Sequence, residues 1–323
     1  MRLEYGDAGA PTRHDTCPAR GPPRACALFM RSPLATALPL LAAFGYTFAA
    51  MMLKRATERG VGPWRVTFIT NWAAALVFAP WWFTGGAPFS WENLAHALIA
   101  AALFFVGQIL TFIALTRGDV SLTTPVLGTK VMFVAMLAVA FGSESITPAL
   151  GAAAVLTSIA TALLGTERRV DPARLWPSLA FGFAAALCYA TTDVLMQQWV
   201  KAWGFGRFAP VMFLSIAVFS FALVPLFREP IAAMPPSSFR WALAGGVTLG
   251  LQATGMAYSI SVFREVTLTN ILYNSRGIWS VIVVWTIGHW FANTERDHGA
   301  RVMLRRLIGA ALLHGAVFLS LRR

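Results

Sequence analysis

The chain has 323 residues, of which 57% are hydrophobic and 12% charged, and its formal net charge is +12. A water-facing domain carries about 25% charged residues, so most of this surface faces something other than water; a soluble enzyme, a secreted protein and a nucleic-acid binder are excluded together. The 26 Lys and Arg residues fall mostly between apolar stretches, where anionic lipid headgroups and the rules of membrane insertion account for them.

Residues 1–33 hold Arg2, Arg13, Arg20, Arg24 and Arg31 among Pro and Gly, with no apolar run. Such a composition cannot bury a core, and a disordered basic tail is expected. It has neither the apolar stretch of a signal peptide nor the acid-poor, serine-rich character of a transit peptide, since Glu4, Asp7 and Asp15 interrupt it. Met30-Arg31 stands directly before the first apolar run, which suggests a translation start at Met30. Intact mass of the natively expressed protein tests this, and a product beginning at Met1 would refute it.

Apolar runs follow near 34–53, 66–84, 94–115, 121–141, 148–165, 176–199, 209–227, 241–262, 267–291 and 306–321. Each approaches the roughly 20 residues a helix needs to cross a bilayer, and none alternates with the period of a barrel strand. Trp64, Trp81, Trp82, Trp91, Trp176, Trp199, Trp203 and Trp241 lie at their edges, at headgroup level. Cys17, Cys26 and Cys188 form neither a disulfide framework nor a metal-ligand spacing.

Self-comparison organises these runs. Asp119-Val-Ser-Leu-Thr-Thr-Pro-Val-Leu-Gly-Thr-Lys130 aligns with Glu265-Val-Thr-Leu-Thr-Asn-Ile-Leu-Tyr-Asn-Ser-Arg276. At nearby offsets Gln108 aligns with Gln252, Tyr46 with Tyr189, and Gly60-Val-Gly62 with Gly204-Phe-Gly206. The expected fold is an all-α integral membrane protein with ten transmembrane helices in two five-helix repeats, 34–165 and 176–321. An odd number of spans per repeat turns the second upside down, the inverted arrangement used for alternating access.

Two stretches also carry a resemblance: Gly118-Asp119-Val-Ser-Leu-Thr-Thr-Pro-Val-Leu before the fourth span, and Phe141-Gly-Ser-Glu144-Ser-Ile-Thr-Pro148 before the fifth. They resemble the small-residue approach to the fourth helix and the Gly-Glu turn of the EamA-like members of the drug/metabolite transporter superfamily. The second copy is looser, because Glu295 follows Arg276 by 19 residues where Glu144 follows Lys130 by 14. The resemblance implies a multi-pass transporter of the inner or plasma membrane with both termini cytoplasmic. The bases lean the other way: 14 lie in loops opposite the termini and 10 on the terminal side.

Lys130 and Arg276 stand about nine residues into their spans, near mid-membrane at about 1.5 Å per residue. An ionisable residue at that depth costs about 3 kcal/mol or more and marks a functional candidate. Equivalent repeat positions meet around a midplane site, so the two bases are expected to bind the negative group of a solute. The basic residue at Lys130 departs from the apolar residue or Pro of many EamA-like members and is closer to relatives that export organic anions. Helical spacing puts Thr269, Tyr273, Arg276 and Ser280 on one face, and Thr123, Leu127 and Lys130 on another. Tyr273, Tyr189, Gln108 and Gln252 are expected to line the cavity, with interhelical hydrogen bonding as the competing role. Asn274 is expected to tie helices together.

Asp193 is the one acidic residue well inside a span, with Tyr189 and Gln197 on its face and Ala50 as its repeat counterpart. Low dielectric disfavours a charged carboxylate, so Asp193 either takes up a proton and couples transport to a proton gradient, or balances Lys130 or Arg276 in a fixed ion pair. His289 and His314 are read as packing residues, and Gly246-x-x-x-Gly250 as a close helix contact. Pro39, Pro80, Pro125, Pro210 and Pro225 bend or start spans. The expected function is movement of a small organic, anionic metabolite by alternating access, with membrane lipids and protons as the other partners. Export of neutral amino acids or amphiphilic drugs, with both bases structural, is the alternative. An intramembrane enzyme is disfavoured, because no catalytic cluster or metal spacing sits at membrane depth and no cofactor is called for, and so is a non-transporting membrane protein, which needs no midplane base in both repeats.

Overall fold

The computed structural model describes residues 33–57, 61–117, 123, 126–165 and 172–287, with short pieces between 308 and 319. The N-terminal tail with Met30, and Asp119, His289, Glu295 and His314, lie outside the described residues. In lipid every backbone N–H and C=O must be satisfied within the protein, which helices do locally. The described residues are accordingly helical, with no strand among them.

In chain order the helices are α1 (Pro33–Thr57), α2 (Pro63–Phe78), α3 (Trp91–Arg117), α4 (Lys130–Ala140), α5 (Pro148–Gly165), α6 (Pro172–Trp203), α7 (Phe205–Phe219), α8 (Pro236–Tyr258), α9 (Val266–Tyr273) and α10 (Arg276–Ile287). Pro33–Thr57, Pro63–Thr84, Trp91–Arg117, Leu175–Trp203 and Phe205–Leu226 are long and apolar enough to cross a membrane. Val126–Ala140 and Pro148–Thr161 are shorter apolar helices. Leu41, Leu76, Leu214 and Leu251 point outward, as an apolar solvent permits.

Proline shapes two ends alike. α2 tightens into the 3₁₀ segment Ala79–Thr84 at Pro80, and α7 into Ser220–Leu226 around Pro225. Proline lacks the N–H that continues an α-helix and crowds the carbonyl four residues back.

The run near 267–291 is two helices, not one, because the chain turns at Asn274 and Ser275 between α9 and α10. Ser275 N–H bonds Leu272 O at 3.1 Å and Gly277 N–H bonds Asn274 O at 3.2 Å, the tighter i−3 pattern. A shallower turn at Thr129 does the same before α4: Thr129 N–H bonds Val126 O at 3.1 Å, and Met132 N–H bonds Thr129 O at 2.9 Å. Lys130 and Arg276 are therefore each the first residue of a helix that resumes after a turn.

The most extensive helix pairings are α1 with α8 and α3 with α6. Next come α2 with α8 and α3 with α7. Each of these pairings turns into its companion when elements about 145 residues apart are exchanged. Glycine permits the closest of them: a Cβ on Gly246 would come within 2.8 Å of Ala73 Cβ, and one on Gly250 within 2.9 Å of Val77 Cβ. The GxxxG stretch thus sets α8 directly against the backbone of α2.

Candidate functional site

A cavity of about 320 Å³ lies between these helices. Lys130, Arg276, Tyr273, Tyr189, Gln108, Gln252 and Asp193 all line it, together with Tyr46, Asn270 and Asn274. Its polar side chains form two walls, one from α3, α4 and α6 and one from α1, α8 and the α9–α10 turn.

The first wall is tied down by protein partners. Lys130 Nζ lies 2.7 Å from Asp193 Oδ2, and the Asn270 side-chain N–H donates to the same oxygen at 2.8 Å. Asn270 also donates to Val266 O at 3.0 Å, which fixes its amide on the first turn of α9. Gln108 and Asn71 exchange two amide hydrogen bonds, at 3.1 and 3.0 Å. The Tyr189 hydroxyl is 3.3 Å from Thr111 Oγ1, and its ring lies so close to Gly107 that a Cβ there would come within 2.9 Å of Tyr189 Cε1.

Around Arg276 the second wall is built differently. Its guanidinium carbon lies 4.7 Å from the centre of the Tyr46 ring and 4.9 Å from that of Tyr273, and the two rings meet edge to face at 6.0 Å. Arg276 has no carboxylate within ion-pair distance among the described residues. The negative faces of two aromatic rings stabilise the cation without neutralising it. On α8, Gln252 Oε1 is buried and has no hydrogen-bond partner among the described residues.

Several neighbours expected at the site serve elsewhere. Gln197, one turn beyond Asp193, donates to Glu144 Oε1 at 3.1 Å instead of facing the cavity. The Glu144 carboxylate in turn accepts from Thr267 N–H at the start of α9, at 3.4 Å, where an anion suits a helix N-terminus. Ser280 bonds Gly277 O at 2.8 Å, and Thr269 is buried; neither lines the cavity. The turn at residues 274–275 lies between Tyr273 and Arg276, which both line the cavity, while Thr269 and Ser280 each sit one helical turn further away along α9 and α10. Asn274 does both things at once, donating to Thr161 Oγ1 on α5 at 2.9 Å while lining the cavity. Tyr46 and Asn270 are site residues that the spacing argument missed. Tyr46 carried a signal, as the repeat partner of Tyr189; Asn270 carried none beyond being a polar residue one turn before Asn274 and Tyr273.

Residues 33–166 match the model of the EamA-like transporter family. The EamA-like region contains Tyr46, Gln108 and Lys130, and it agrees with the resemblance to the drug/metabolite transporter superfamily. A solved crystal structure of a protein is 17% identical in sequence, with a TM-score of 0.71 over 88% of this chain and 94% of that one. That similarity of fold extends through the second half, beyond the EamA-like match. No curated protein matches the sequence. The EamA-like region and the apolar helices together make the chain a multi-pass membrane transporter of small solutes.

Proposed function

We propose that the protein moves a small organic anion across the inner or plasma membrane by alternating access between two inverted halves, 34–165 and 176–321, with both termini cytoplasmic. The observation that carries the anion is Arg276: a cation on the cavity wall, caged by Tyr46 and Tyr273, with no carboxylate partner among the described residues. An uncompensated cation in a site of low dielectric attracts an anion far more strongly than it would in water. Lys130 adds a second, already paired, positive charge, and Tyr189, Tyr273, Gln108 and Gln252 shape the space between.

The inverted arrangement is supported by the helix pairings that exchange with one another and by the turns at Thr129 and Asn274–Ser275. Such interrupted helices at the midplane are where transporters of this architecture place their solute. The Thr129, Asn274 and Ser275 amides are bonded within the chain, so the charge offered to a solute is that of the side chains.

Lys130 and Asp193 together favour a second reading, a carrier of neutral solutes, since their 2.7 Å pair neutralises one of the two bases. Thermal unfolding in detergent decides between the two, with a panel of anionic, neutral and cationic metabolites. A ligand bound only to the folded state raises the melting temperature by mass action. Stabilisation by organic anions that Arg276→Gln abolishes is the expected result. Stabilisation by neutral or cationic solutes alone would overturn the anion reading and leave the neutral carrier.

A further inference from the structure

The charges around the cavity differ in what they leave for a solute. Lys130 is positive, Asp193 is negative and in contact with it, and Arg276 is positive and caged by neutral rings. The described lining therefore has one cation in excess. The rest of the lining divides unevenly. Met196, Met212, Phe213, Met256, Ala257 and Ile260 line the cavity and belong to one continuous apolar cluster. Phe104 packs against that cluster, its ring centre 6.2 Å from that of Phe213. The lining thus combines a single uncompensated positive charge with a methionine- and phenylalanine-rich surface, and Tyr273, which brackets Arg276, packs against that same apolar cluster.

We infer that the solute is a monoanion with an apolar body, and that Asp193 is the residue that sets this charge. This rests on the anion reading given above and narrows it. A dianion would need a second free cation, and the structure assigns that cation, Lys130, to Asp193. To reach Lys130 a second carboxylate would have to approach the Asp193 carboxylate as well, and like charges brought together in low dielectric repel strongly. Asp193 acts here as a counter-charge that rejects the more highly charged competitor. Asn270 on α9 donates directly to the Asp193 oxygen that Lys130 on α4 contacts, so the rejecting carboxylate is fixed from two helices. The apolar lining rejects in the other direction, because a small hydrophilic anion leaves the Met and Phe surface without a partner.

Four probes in a thermal-unfolding assay of the full chain in detergent test this. They are 3-phenylpropanoate, 2-phenylsuccinate with the same ring and a second carboxylate, propanoate without the ring, and the neutral 3-phenylpropanamide. In the wild type, 3-phenylpropanoate should bind about tenfold or more tightly than the other three, the scale of one partly screened charge contact or one buried ring. Asp193→Asn frees Lys130 and should reverse the order of the two phenyl anions in favour of 2-phenylsuccinate. The double variant Lys130→Gln/Asp193→Asn removes both charges of the pair and keeps the excess at one, so it should retain the wild-type order even if the single variant fails to fold. A wild type that prefers 2-phenylsuccinate or propanoate, or a double variant that prefers 2-phenylsuccinate, overturns the inference while anion binding itself stands. If none of the three anions stabilises the protein, the anion reading of the site falls with it.

Discussion

Two sets of polar residues line the cavity, and their members are matched in sequence: Lys130 with Arg276, Gln108 with Gln252, Tyr189 with Tyr46. On the wall of α3, α4 and α6 each is held by a protein partner, Asp193, Asn71 and Thr111 respectively. On the wall of α1, α8 and the α9–α10 turn, Gln252 has an unpartnered oxygen among the described residues and Arg276 is bracketed by Tyr46 and Tyr273. The cause is legible in composition: α1, α8, α9 and α10 contain no Asp or Glu, whereas α6 carries Asp193. Duplicated halves therefore need not make duplicated sites. A single carboxylate on one side turns one base into structure and leaves its counterpart for a ligand.

The largest expected effect falls on the open wall. Arg276→Gln removes the charge that meets the solute and should cost binding about 3 kcal/mol, roughly a hundredfold in affinity, while loss of its contacts with the Tyr46 and Tyr273 rings should lower the melting point of the solute-free protein only slightly. Titration of an organic anion that stabilises the wild type measures both. An unchanged affinity would erase the distinction between the walls. On the tied wall the signature should be the opposite one. Lys130→Gln leaves the Asp193 carboxylate without its cation and should lower stability by between about 2 and 3 kcal/mol. Both groups keep some contact with the cavity, which holds the cost below the roughly 3–5 kcal/mol of a fully buried pair. Adding Asp193→Asn should recover most of that loss, as judged by chemical denaturation in detergent. Asn270→Ala should follow with about 1.5 kcal/mol, the loss of one hydrogen bond to a charged acceptor.

Hydropathy located the helices because a lipid solvent imposes a length and an apolar composition on each span, and the observed α1, α2, α3, α6 and α7 lie where the apolar runs put them. Depth and their equivalent repeat positions together singled out Lys130 and Arg276, since charge at mid-membrane is costly wherever it occurs. The turn at Asn274 and Ser275 escaped notice because it changes no residue's polarity enough to interrupt an apolar run. It rests on i−3 hydrogen bonds that any residue can make. The Asp193 pairing was narrowed to two candidate bases and no further. Helical spacing orders residues around one helix, while the choice between Lys130 and Arg276 depends on how α4, α6 and α9 meet. Tyr46 was visible only through its repeat partner, as its own span reads as an ordinary aromatic-containing helix.

The smallest effect tests the cage itself. If Tyr46 matters as a ring face that holds Arg276 in place, Tyr46→Phe retains the face and should bind a stabilising anion within about twofold of wild type, whereas Tyr46→Leu removes it. A desolvated cation–π contact is worth about 1 kcal/mol, so the leucine variant should lose about fivefold in affinity. Equal losses in both variants would mean that the hydroxyl contacts the solute directly. The open wall would then resemble its counterpart more closely, a tyrosine oxygen acting on each side, with Thr111 as its partner on one and the solute on the other.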